Sequence, residues 1–581
     1  MPRLPRLYGA AKERVVTEVF SGYNHNLKIG DGELYDTENL TTACYPMLAN
    51  RPKRGLLDRT FTDLRAVIAK EALCWVDGGT LYVNGAATAL TGLQTARETR
   101  LVSMGAYICV FPDAKFYNTL DPSDYGSMGA RWDYTGRVDY AMCRADGTVY
   151  EQVTVSETEP ESPQNGDVWV DADGAARLWS EFDKTWTALE TVYTRVTFTS
   201  AGQLPAAFRE YDGVEITGLR FPALNGSKIL YAVGGGATES DYLVLVGICA
   251  EAVSDESAAV TVRRTVPPMD FVCEAQNRLW GCFYGNDGEK NVNELFCCAL
   301  GDFRNWNQYL GLSTDSWRAG CGSDGKWTGC VNYMGSPVFF KENTIHQIGV
   351  SPVGAHTVGE LPARGVQAGS HKSLAVVSET LYYKSRGGVM AWQGGMPADV
   401  GAALGSVPYY EAAAGVFDKR YYISMRDGAG TWSLFCFDTG TGLWMREDDL
   451  HAAGFAAWGD ELYAMSGDRV VALNGTVGTP EETVHFSAET GVLHYRVTGR
   501  KYVSRFNLRV KLGAGARLRL WLEYDSSGLW EPGGEVTAAG LDSFVLPVRP
   551  RRCDHLRLKL EGEGEIRVFS MARVLEEGSD M

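Results

Sequence analysis

An aromatic-led strand pair that recurs about every 40 residues is the feature that most constrains the fold of this chain. Its copies carry Phe340, Tyr383, Tyr422 and Tyr463, and each is followed by a turn and a second apolar run, as at 434–437. Short alternating strands at this spacing are typical of one blade of a β-propeller. Since such a unit cannot bury both of its apolar faces alone, the repeat predicts blades stacked around an axis.

Three earlier segments resemble the same unit. They contain Tyr82, Tyr117 and Trp280, and with the four copies above they predict an all-β protein built on a β-propeller of about seven blades. Gly is abundant (66 residues) and Pro is sparse (21 residues), which suits a chain with many tight turns.

Two stretches depart from the repeat, and 581 residues are too many for one core. Residues 119–265 lack the blade pattern, which predicts a small β module inserted between blades. Residues 483–581 alternate apolar with cationic side chains, which predicts a C-terminal β-sandwich or jelly roll. The predicted domains are therefore an N-terminal arm with the first blades (1–118), the inserted module (119–265), the remaining blades (266–482) and the sandwich (483–581).

The formal net charge of -17 argues against a general nucleic-acid-binding surface, which would be basic. The C-terminal strands nevertheless carry a basic polar face. That face is either a solvated sheet surface or an assembly interface for an acidic neighbour, because arginine pairs well with carboxylates. The candidate interface residues are Arg505, Arg509, Arg517, Arg519, Arg551, Arg552 and Arg557.

The sequence predicts a protein made in a cytoplasm. No apolar run reaches the ~20 residues of a membrane span, and residues 1–6 lack the apolar core of a secretory signal. The 13 cysteines are odd in number and lie in apolar runs, which indicates reduced thiols in a core.

The search for chemistry-bearing motifs predicts no catalytic, cofactor-binding or metal-binding residues. Neither a Gly-x-Ser-x-Gly elbow nor a Gly-x-x-x-x-Gly-Lys loop occurs, and the eight histidines form no His-x-x-x-His pair. Residues 424–432 approach the Ser-x-Asp-x-Gly-x-Thr-Trp turn of sialidase-type propellers, but Arg426 stands at the Asp position, and that motif is a structural turn. We therefore expect that the chain is not an enzyme.

One region carries a family resemblance. Gly-Tyr-Asn at 22–24, Asp-Gly-Glu-Leu-Tyr-Asp-Thr-Glu-Asn-Leu at 31–40 and Tyr-Pro-Met-Leu-Ala-Asn-Arg-Pro at 45–52 resemble the opening of virion proteins of tailed bacteriophages and prophages. The relatives in question are tail hub, nozzle or stabilisation proteins of the portal–tail complex. Two further stretches, 266–282 and 547–556, add to the resemblance.

The resemblance implies a structural component of the virion tail, assembled in the bacterial host cytoplasm. It implies a homo-oligomeric, six-fold ring that contacts the portal or adaptor and other tail proteins, with DNA only in transit through the channel and no cofactor. An acidic channel would let DNA slide without binding.

A second function stays open on the residues alone. The 15 tryptophans and 28 tyrosines could form stacking platforms for sugars. The alternative is therefore a host-surface protein whose propeller binds or cleaves carbohydrate, although most of these aromatics lie at strand positions that predict burial.

Overall fold

The computed structural model describes residues 12–249, 251–351, 355–495 and 499–577, and these form an all-β protein built around a propeller. Residues 1–6, where no signal was expected, lie outside the described residues. Short helical segments occur at Leu204–Ala207, Pro222–Leu224, His371–Ser373 and Ala402–Leu404.

Seven small antiparallel sheets form the blades, as the repeat predicted. Their strands, from the innermost outward, are Leu64–Lys70, Ala72–Asp77, Thr80–Val83 and Ala86–Ala87 in blade 1; Arg100–Met104, Tyr107–Phe111, Lys115–Asn118 and Tyr125–Ser127 in blade 2; Phe271–Ala275, Arg278–Asn286, Asn291–Cys297 and Trp317–Gly320 in blade 3; and Trp327–Tyr333, Ser336–Lys341, Thr344–Val350 and His356–Pro362 in blade 4.

Blades 5 to 7 continue the pattern. Their strands are Ala375–Val377, Thr380–Ser385, Gly388–Trp392 and Ala398–Asp399 in blade 5; Tyr409–Phe417, Arg420–Asp427, Trp432–Asp438 and Leu443–Asp448 in blade 6; and Gly454–Trp458, Glu461–Ser466, Arg469–Ala472, Gly55–Leu56 and Thr479–Pro480 in blade 7.

The ring closes through contacts between innermost strands. Those of blades 1 to 4 contact one another in order, as do those of blades 5 to 7, and the innermost strand of blade 7 contacts that of blade 1. The segment His371–Ser373 packs against the innermost strands of blades 4 and 6. Such stacking buries both faces of every blade, which one blade could not do alone.

Blade 7 takes strands from two distant parts of the chain. Gly55–Leu56 pairs on one side with Val471 and Ala472 and on the other with Thr479–Pro480. The backbone passes so close at Gly55 that a Cβ atom there would lie 1.8 Å from the carbonyl oxygen of Val477. Glycine is therefore required at this position, because any side chain would push the strand Gly55–Leu56 away from its neighbours in blade 7.

The segment between blades 2 and 3 forms its own sheets around a separate apolar core. The seven-stranded sheet runs, in spatial order, Gly226–Ile229, Gly213–Thr217, Val253–Arg264, Ala130–Cys143, Tyr193–Ala201, Ser240–Val246 and Ala232–Gly234. A four-stranded sheet comprises Val153–Val155, Val168–Val170, Ala176–Ser180 and Thr185–Ala188.

The last part of the chain forms a β-sandwich of two sheets. The six-stranded sheet contains Lys12–Thr17, Leu40–Thr41, Leu48–Asn50, Lys501–Leu512, Gly540–Leu546 and Ile566–Glu577. The five-stranded sheet contains Leu34–Glu38, His485–Thr490, Arg517–Tyr524, Trp530–Val536 and Leu556–Glu563. Alternation follows the sequence pattern, since Phe506, Leu508 and Val510 are buried while Arg505 and Arg509 are exposed.

The arm belongs to the sandwich as well as to the propeller. The sequence groups residues 12–50 with the first blades, whereas Leu34–Glu38 pairs with His485–Thr490 and Leu48–Asn50 pairs with Ile566–Glu577. This pairing completes the sandwich sheets, and no local pattern in the sequence specifies a partner more than 400 residues away.

One short predicted strand lies partly outside the described residues. At 494–497, where the alternation suggests a strand, His494 and Tyr495 lie outside regular strands, and residues 496–497 are not among the described ones.

All 13 cysteines are unpaired thiols. No helix in the described ranges is long and apolar enough to cross a membrane.

Candidate functional site

The propeller brings distant segments together at its axis. Each blade begins with its innermost strand, so the segments that precede these strands meet on one face of the ring, which we call the front face. The front face therefore collects the residues just before Arg100, Phe271, Ala375 and Gly454. Ligand sites occur preferentially where such loops converge on a rigid scaffold.

One carboxylate organises the axial part of the front face. Oxygens of Glu98 lie 3.2 Å from Nε2 of His371, 2.9 Å from Nζ of Lys372 and 3.1 Å from Nη2 of Arg100. The Lys372 ammonium also donates to the carbonyl oxygen of Ala453, at 3.0 Å. These contacts join blades 2, 5 and 7 across the axis. We call Glu98, Arg100, His371 and Lys372 the axial cluster.

The electrostatics of the axial cluster favour a charged Glu98. Burial opposes ionisation of this side chain, but the hydrogen bonds and positive charges of His371 and Lys372 outweigh that effect. They hold the pKa of Glu98 well below its usual range. Glu98 is therefore a fixed negative charge at neutral pH.

A cleft of about 450 Å³ opens beside the axial cluster, between blades 2, 3 and 4. It combines cationic, acidic and aromatic side chains, which is the mixture expected of a site for a polar ligand with apolar faces. Its lining residues are Arg97, Glu98, Arg100, Pro112, Met269, Asp270, Phe271, Phe283, Tyr284, Lys326 and Trp327.

Asp270 is the second carboxyl group of the cleft. The backbone N–H of Tyr284 donates to its Oδ2 at 2.8 Å, and the Arg100 guanidinium donates to its carbonyl oxygen. Burial raises the pKa of Asp270, and the hydrogen bond from Tyr284 and the charge of Arg100 only partly offset that effect. Arg100 thus contacts Glu98 and Asp270, two residues whose pKa values are displaced in opposite directions.

Aromatic rings form the other part of the cleft wall. The Arg100 guanidinium carbon lies 4.5 Å from the centre of the Phe271 ring, and that ring lies 5.2 Å from the imidazole of His371. Trp327 is almost fully buried, whereas Tyr284 is 41% exposed and presents its ring to solvent. Tyr284 is therefore the aromatic side chain best placed to stack on a ligand.

The arrangement has two chemical capabilities. Aromatic and charged groups around a small cleft can hold a polyhydroxylated ring by stacking and by hydrogen bonds. The two carboxyl groups of the cleft, Glu98 and Asp270, have pKa values displaced in opposite directions, which is a pattern that acid–base chemistry uses.

Sequence reasoning did not single out these residues, although signals existed. Asp270 directly precedes an innermost strand and lies within the Pro-Pro-Met-Asp-Phe run at 267–271, and Glu98 precedes another innermost strand by two positions. Comparing the positions just before each innermost strand would have identified both carboxyl groups.

The arginines predicted as an assembly interface do not form one uniformly basic patch. Arg505 and Arg509 are exposed on the six-stranded sheet. Arg517 and Arg519 lie on the five-stranded sheet and pair with Glu563 and Glu535, at 2.8 Å and 3.2 Å.

The remaining three predicted arginines lie in or just before the strand Leu556–Glu563. Arg551 pairs with Glu531, and Arg557 pairs with Glu489 and, at 3.1 Å, with Glu523. Arg552 is exposed. Since several of these charges are matched within the sheet, the assembly interface stays a prediction.

Two other parts of the sequence analysis have a place in the structure. The hairpin at 427–431 is a structural turn, as expected, because Oδ1 of Asp427 accepts the backbone N–H groups of Ala429 and Thr431 at 2.9 Å and 2.8 Å. The sequence predicted no metal site, but the described residues include one group of potential metal ligands, His494, Asp554 and His555.

Comparison with known proteins gives structural neighbours only. No family model matches the chain, and no curated protein matches it. An exo-β-1,3-galactanase from Phanerochaete chrysosporium, solved with β-1,3-galactotriose, shares 10% identity over 52% of this chain and 94% of its own, with a TM-score of 0.22. A Trypanosoma rangeli sialidase shares 9% identity over 97% of this chain and 95% of its own, with a TM-score of 0.21.

A third similar structure is the extracellular domain of a hybrid two-component system from B. thetaiotaomicron. It shares 9% identity over 92% of this chain and 99% of its own, with a TM-score of 0.16. None of the three is described as a virion protein. At these identities and TM-scores the likeness assigns no activity to this chain.

The comparisons nevertheless correct one expectation. The sequence led us to expect that the chain is not an enzyme, and that expectation is wrong to maintain, since a galactanase and a sialidase are among its similar structures. The expectation rested on the absence of a catalytic sequence motif. A site assembled from separate blades has no such motif, because its residues are far apart in the sequence.

Proposed function

We propose that this protein binds carbohydrate at the front-face cleft of its propeller. The observation that carries the proposal is the convergence, in one cleft, of an accessible aromatic ring at Tyr284 with the ionisable groups of Glu98, Arg100 and Asp270. Sugar rings present apolar C–H faces and polar hydroxyl edges, and this cleft offers a partner for each.

The charge around the cleft favours an acidic saccharide. Glu98 already contacts the cations Arg100 and Lys372 and the imidazole of His371, so its negative charge is partly compensated. Arg97 and Lys326 are exposed at the rim and add positive charge. A carboxylate on the sugar would meet these groups at a site partly shielded from water, where ion pairing with arginine is strongest.

Cleavage of the bound glycan is the second step of the proposal, and the displaced pKa values of the two carboxyl groups favour it. Glycoside hydrolysis uses one carboxyl group that donates a proton and one that is charged beside the reacting carbon. Asp270, whose pKa is raised, is the candidate for the proton donor, and Glu98, whose pKa is lowered, is the candidate for the charged group. We would measure hydrolysis together with binding.

The experiment is a glycan array of acidic and neutral saccharides probed with the purified protein, followed by titration of the best ligand. Tyr284→Ala should weaken binding about tenfold, as loss of one aromatic contact worth about 1.4 kcal/mol predicts. The matched control is Tyr410→Ala, since Tyr410 is 47% exposed on the front face of blade 6, outside the cleft lining.

Equal losses in Tyr284→Ala and Tyr410→Ala would place binding elsewhere, and absence of saturable binding to every glycan would reject the proposal. Hydrolysis is tested with Glu98→Gln and Asp270→Asn, which keep the side-chain shape. Turnover that survives both substitutions unchanged would remove the catalytic step and leave the binding step standing.

The virion tail role is the second candidate, and it rests on the sequence resemblance of residues 22–24, 31–40 and 45–52. Residues within the stretch that resembles virion proteins join parts of the molecule: Asp36 pairs with Arg446 of blade 6 at 2.8 Å, and Arg51 pairs at 2.7 Å with Glu481, which follows blade 7. Relatives with the same stretch would share the arm–propeller architecture. A propeller that binds host glycans is compatible with a place on a phage tail.

Two measurements test the tail role separately from glycan binding. Negative-stain images of virions with labelled protein should locate the label on the tail. Light scattering on the purified protein should give the mass of six chains under assembly conditions, as a six-fold ring requires. Label spread over the capsid, or a protein that stays monomeric under every condition tried, would contradict this role.

A further inference from the structure

We propose that His494, Asp554 and His555 form a binding site for a divalent transition-metal ion, with Zn²⁺ as the best-fitting ion. The site lies on the sandwich, away from the front-face cleft, and is independent of the proposed function. Donor atoms of these three residues all lie within 4.8 Å of one another.

The two histidines are neighbours because of a backbone bridge. Leu493 and Leu556 pair in antiparallel fashion, with the Leu493 N–H donating to the Leu556 carbonyl oxygen at 2.9 Å. His494 follows one partner and His555 precedes the other, so they lie opposite each other. Their ring centres are 5.5 Å apart.

The backbone that carries Asp554 and His555 is held in place on its other side. Lys501 and Cys553 exchange two hydrogen bonds, at 3.0 Å and 2.8 Å. Oδ1 of Asp525 accepts the N–H groups of Asp554 and His555, at 2.8 Å and 3.3 Å. Ligands presented from a fixed backbone lose little freedom when a metal binds.

The contacts of His555 indicate how a metal would be held. Its Nδ1 lies 3.0 Å from Oδ2 of Asp554, and its Nε2 lies 2.8 Å from Oγ of Ser526. A metal ion would replace the proton between Nδ1 and the carboxylate, with His494 as the third ligand. Ser526 would then accept a hydrogen bond from Nε2–H and orient the ring, the usual role of an outer-sphere partner.

The ligand set selects the class of metal. Imidazole suits Zn²⁺, Ni²⁺ and Cu²⁺, whereas Mg²⁺ and Ca²⁺ prefer sites made of oxygen alone. Three protein ligands leave a coordination position for water or for an outside group. Lys501 donates to the carbonyl oxygen of Asp554, and this nearby cation weakens metal binding, an effect that the carboxylate of Asp525 opposes.

The same contacts place Ser526, His555 and Asp554 in a row, as in a serine hydrolase. Asp554 is, however, 61% exposed, and water screens its effect on the imidazole. A metal ion gains from an exposed carboxylate, since the ligand needs no protection from solvent. The metal site is therefore the better interpretation of these contacts.

Isothermal titration of the chelator-treated protein with ZnCl₂ tests the proposal. We expect one Zn²⁺ per chain, with an affinity that falls at least tenfold in His494→Ala and in His555→Ala. Ser526→Ala should show a smaller loss. The matched control is His485→Ala, because His485 is an exposed sandwich histidine that has a carboxylate neighbour, Glu563, at 3.4 Å.

A second measurement needs no substitution and so does not depend on how the variants fold. Zn²⁺ should protect His494 and His555, and not His485, from modification by diethylpyrocarbonate, as read by mass spectrometry. Failure of the wild-type protein to bind Zn²⁺, loss of binding in His485→Ala equal to that in His494→Ala, or uniform modification of all three histidines with Zn²⁺ present would each overturn the proposal.

Discussion

Charged side chains form contacts both on the front face of the propeller and on the five-stranded sandwich sheet, and they are arranged differently in the two regions. On the sandwich, Arg517 lies directly opposite Glu563, Arg519 lies directly opposite Glu535, and these ion pairs join neighbouring strands. At the axis a single carboxylate, that of Glu98, contacts two cations, Arg100 and Lys372, and the imidazole of His371.

The two arrangements of charge arise in different ways. The sandwich pairs follow from strand register and alternation, and each pair exists wherever two strands meet. The axial cluster draws on blades 2 and 5 and touches blade 7, so it exists only when the ring is closed. Charge on the sandwich is therefore a property of a sheet, and charge at the axis is a property of the whole propeller.

The largest expected effect comes from opening the ring. Gly55→Val places a side chain against the carbonyl oxygen of Val477 and should lower the free energy of unfolding by about 3 kcal/mol. Glycan binding should fall as well, while the sandwich arginine pairs stay intact. Urea unfolding measures the stability. The matched control, Gly320→Val, lies in an open part of a blade 3 strand, and an equal loss there would contradict the special role of Gly55.

A smaller effect is expected from removing the axial carboxylate charge. Glu98→Gln leaves Arg100 and Lys372 without their carboxylate partner and should cost about 2 kcal/mol, less than the 3–5 kcal/mol of a fully buried pair because Glu98 is 34% exposed. The control is Glu563→Gln on the sandwich. Equal costs at the two sites would show that the axial cluster is no more than a set of surface ion pairs.

The pH dependence of stability should differ in sign between the two cleft carboxyl groups. The folded-state pKa of Glu98 is lowered, so its contribution is present above its unfolded pKa of about 4.3 and is lost as pH falls. The pKa of Asp270 is raised, so its contribution is present below about 3.9 and is lost as pH rises through the folded-state pKa.

Urea titrations from acid to neutral pH, repeated with Glu98→Gln and Asp270→Asn, measure both effects. Glu98→Gln should flatten the acid-side loss of stability, and Asp270→Asn should steepen it. Identical pH profiles for the two variants would mean that the cleft does not separate the two carboxyl groups.

The smallest effect is expected on the sandwich. Arg517→Gln should change the free energy of unfolding by less than about 1 kcal/mol, because exposed ion pairs contribute little and are screened by salt. The same change measured in 1 M NaCl should be close to zero. A cost above that of Glu98→Gln would reverse the comparison drawn here.

The parts of the fold that could be predicted are those with a local signal. The blade repeat located the seven blades, although Tyr82 and Tyr117 lie in the third strand of their blades and the later markers lie in the second. The alternation around Phe506 and Arg509 identified a half-buried strand. The pairing of Leu34–Glu38 with His485–Thr490 has no such signal, since strand partners so far apart are chosen only by the finished fold.

The contacts that build the candidate site could not be predicted for the same physical reason. Glu98 and His371 lie 3.2 Å apart in space but in different blades, and only ring closure brings them together. His494 and His555 likewise become neighbours through a backbone bridge, without any spacing motif. A search for local patterns finds strands and turns, and it misses sites whose members come from separate elements.

The placement of the arm has a consequence for biosynthesis. Residues 34–56 are translated long before the strands at 469–577 with which they pair. At about 5–20 residues per second, the ribosome needs tens of seconds to supply those partners. Neither blade 7 nor the sandwich can be completed on the nascent chain before then. These strand edges therefore stay open throughout that interval, and this is the period in which a holding chaperone would matter most.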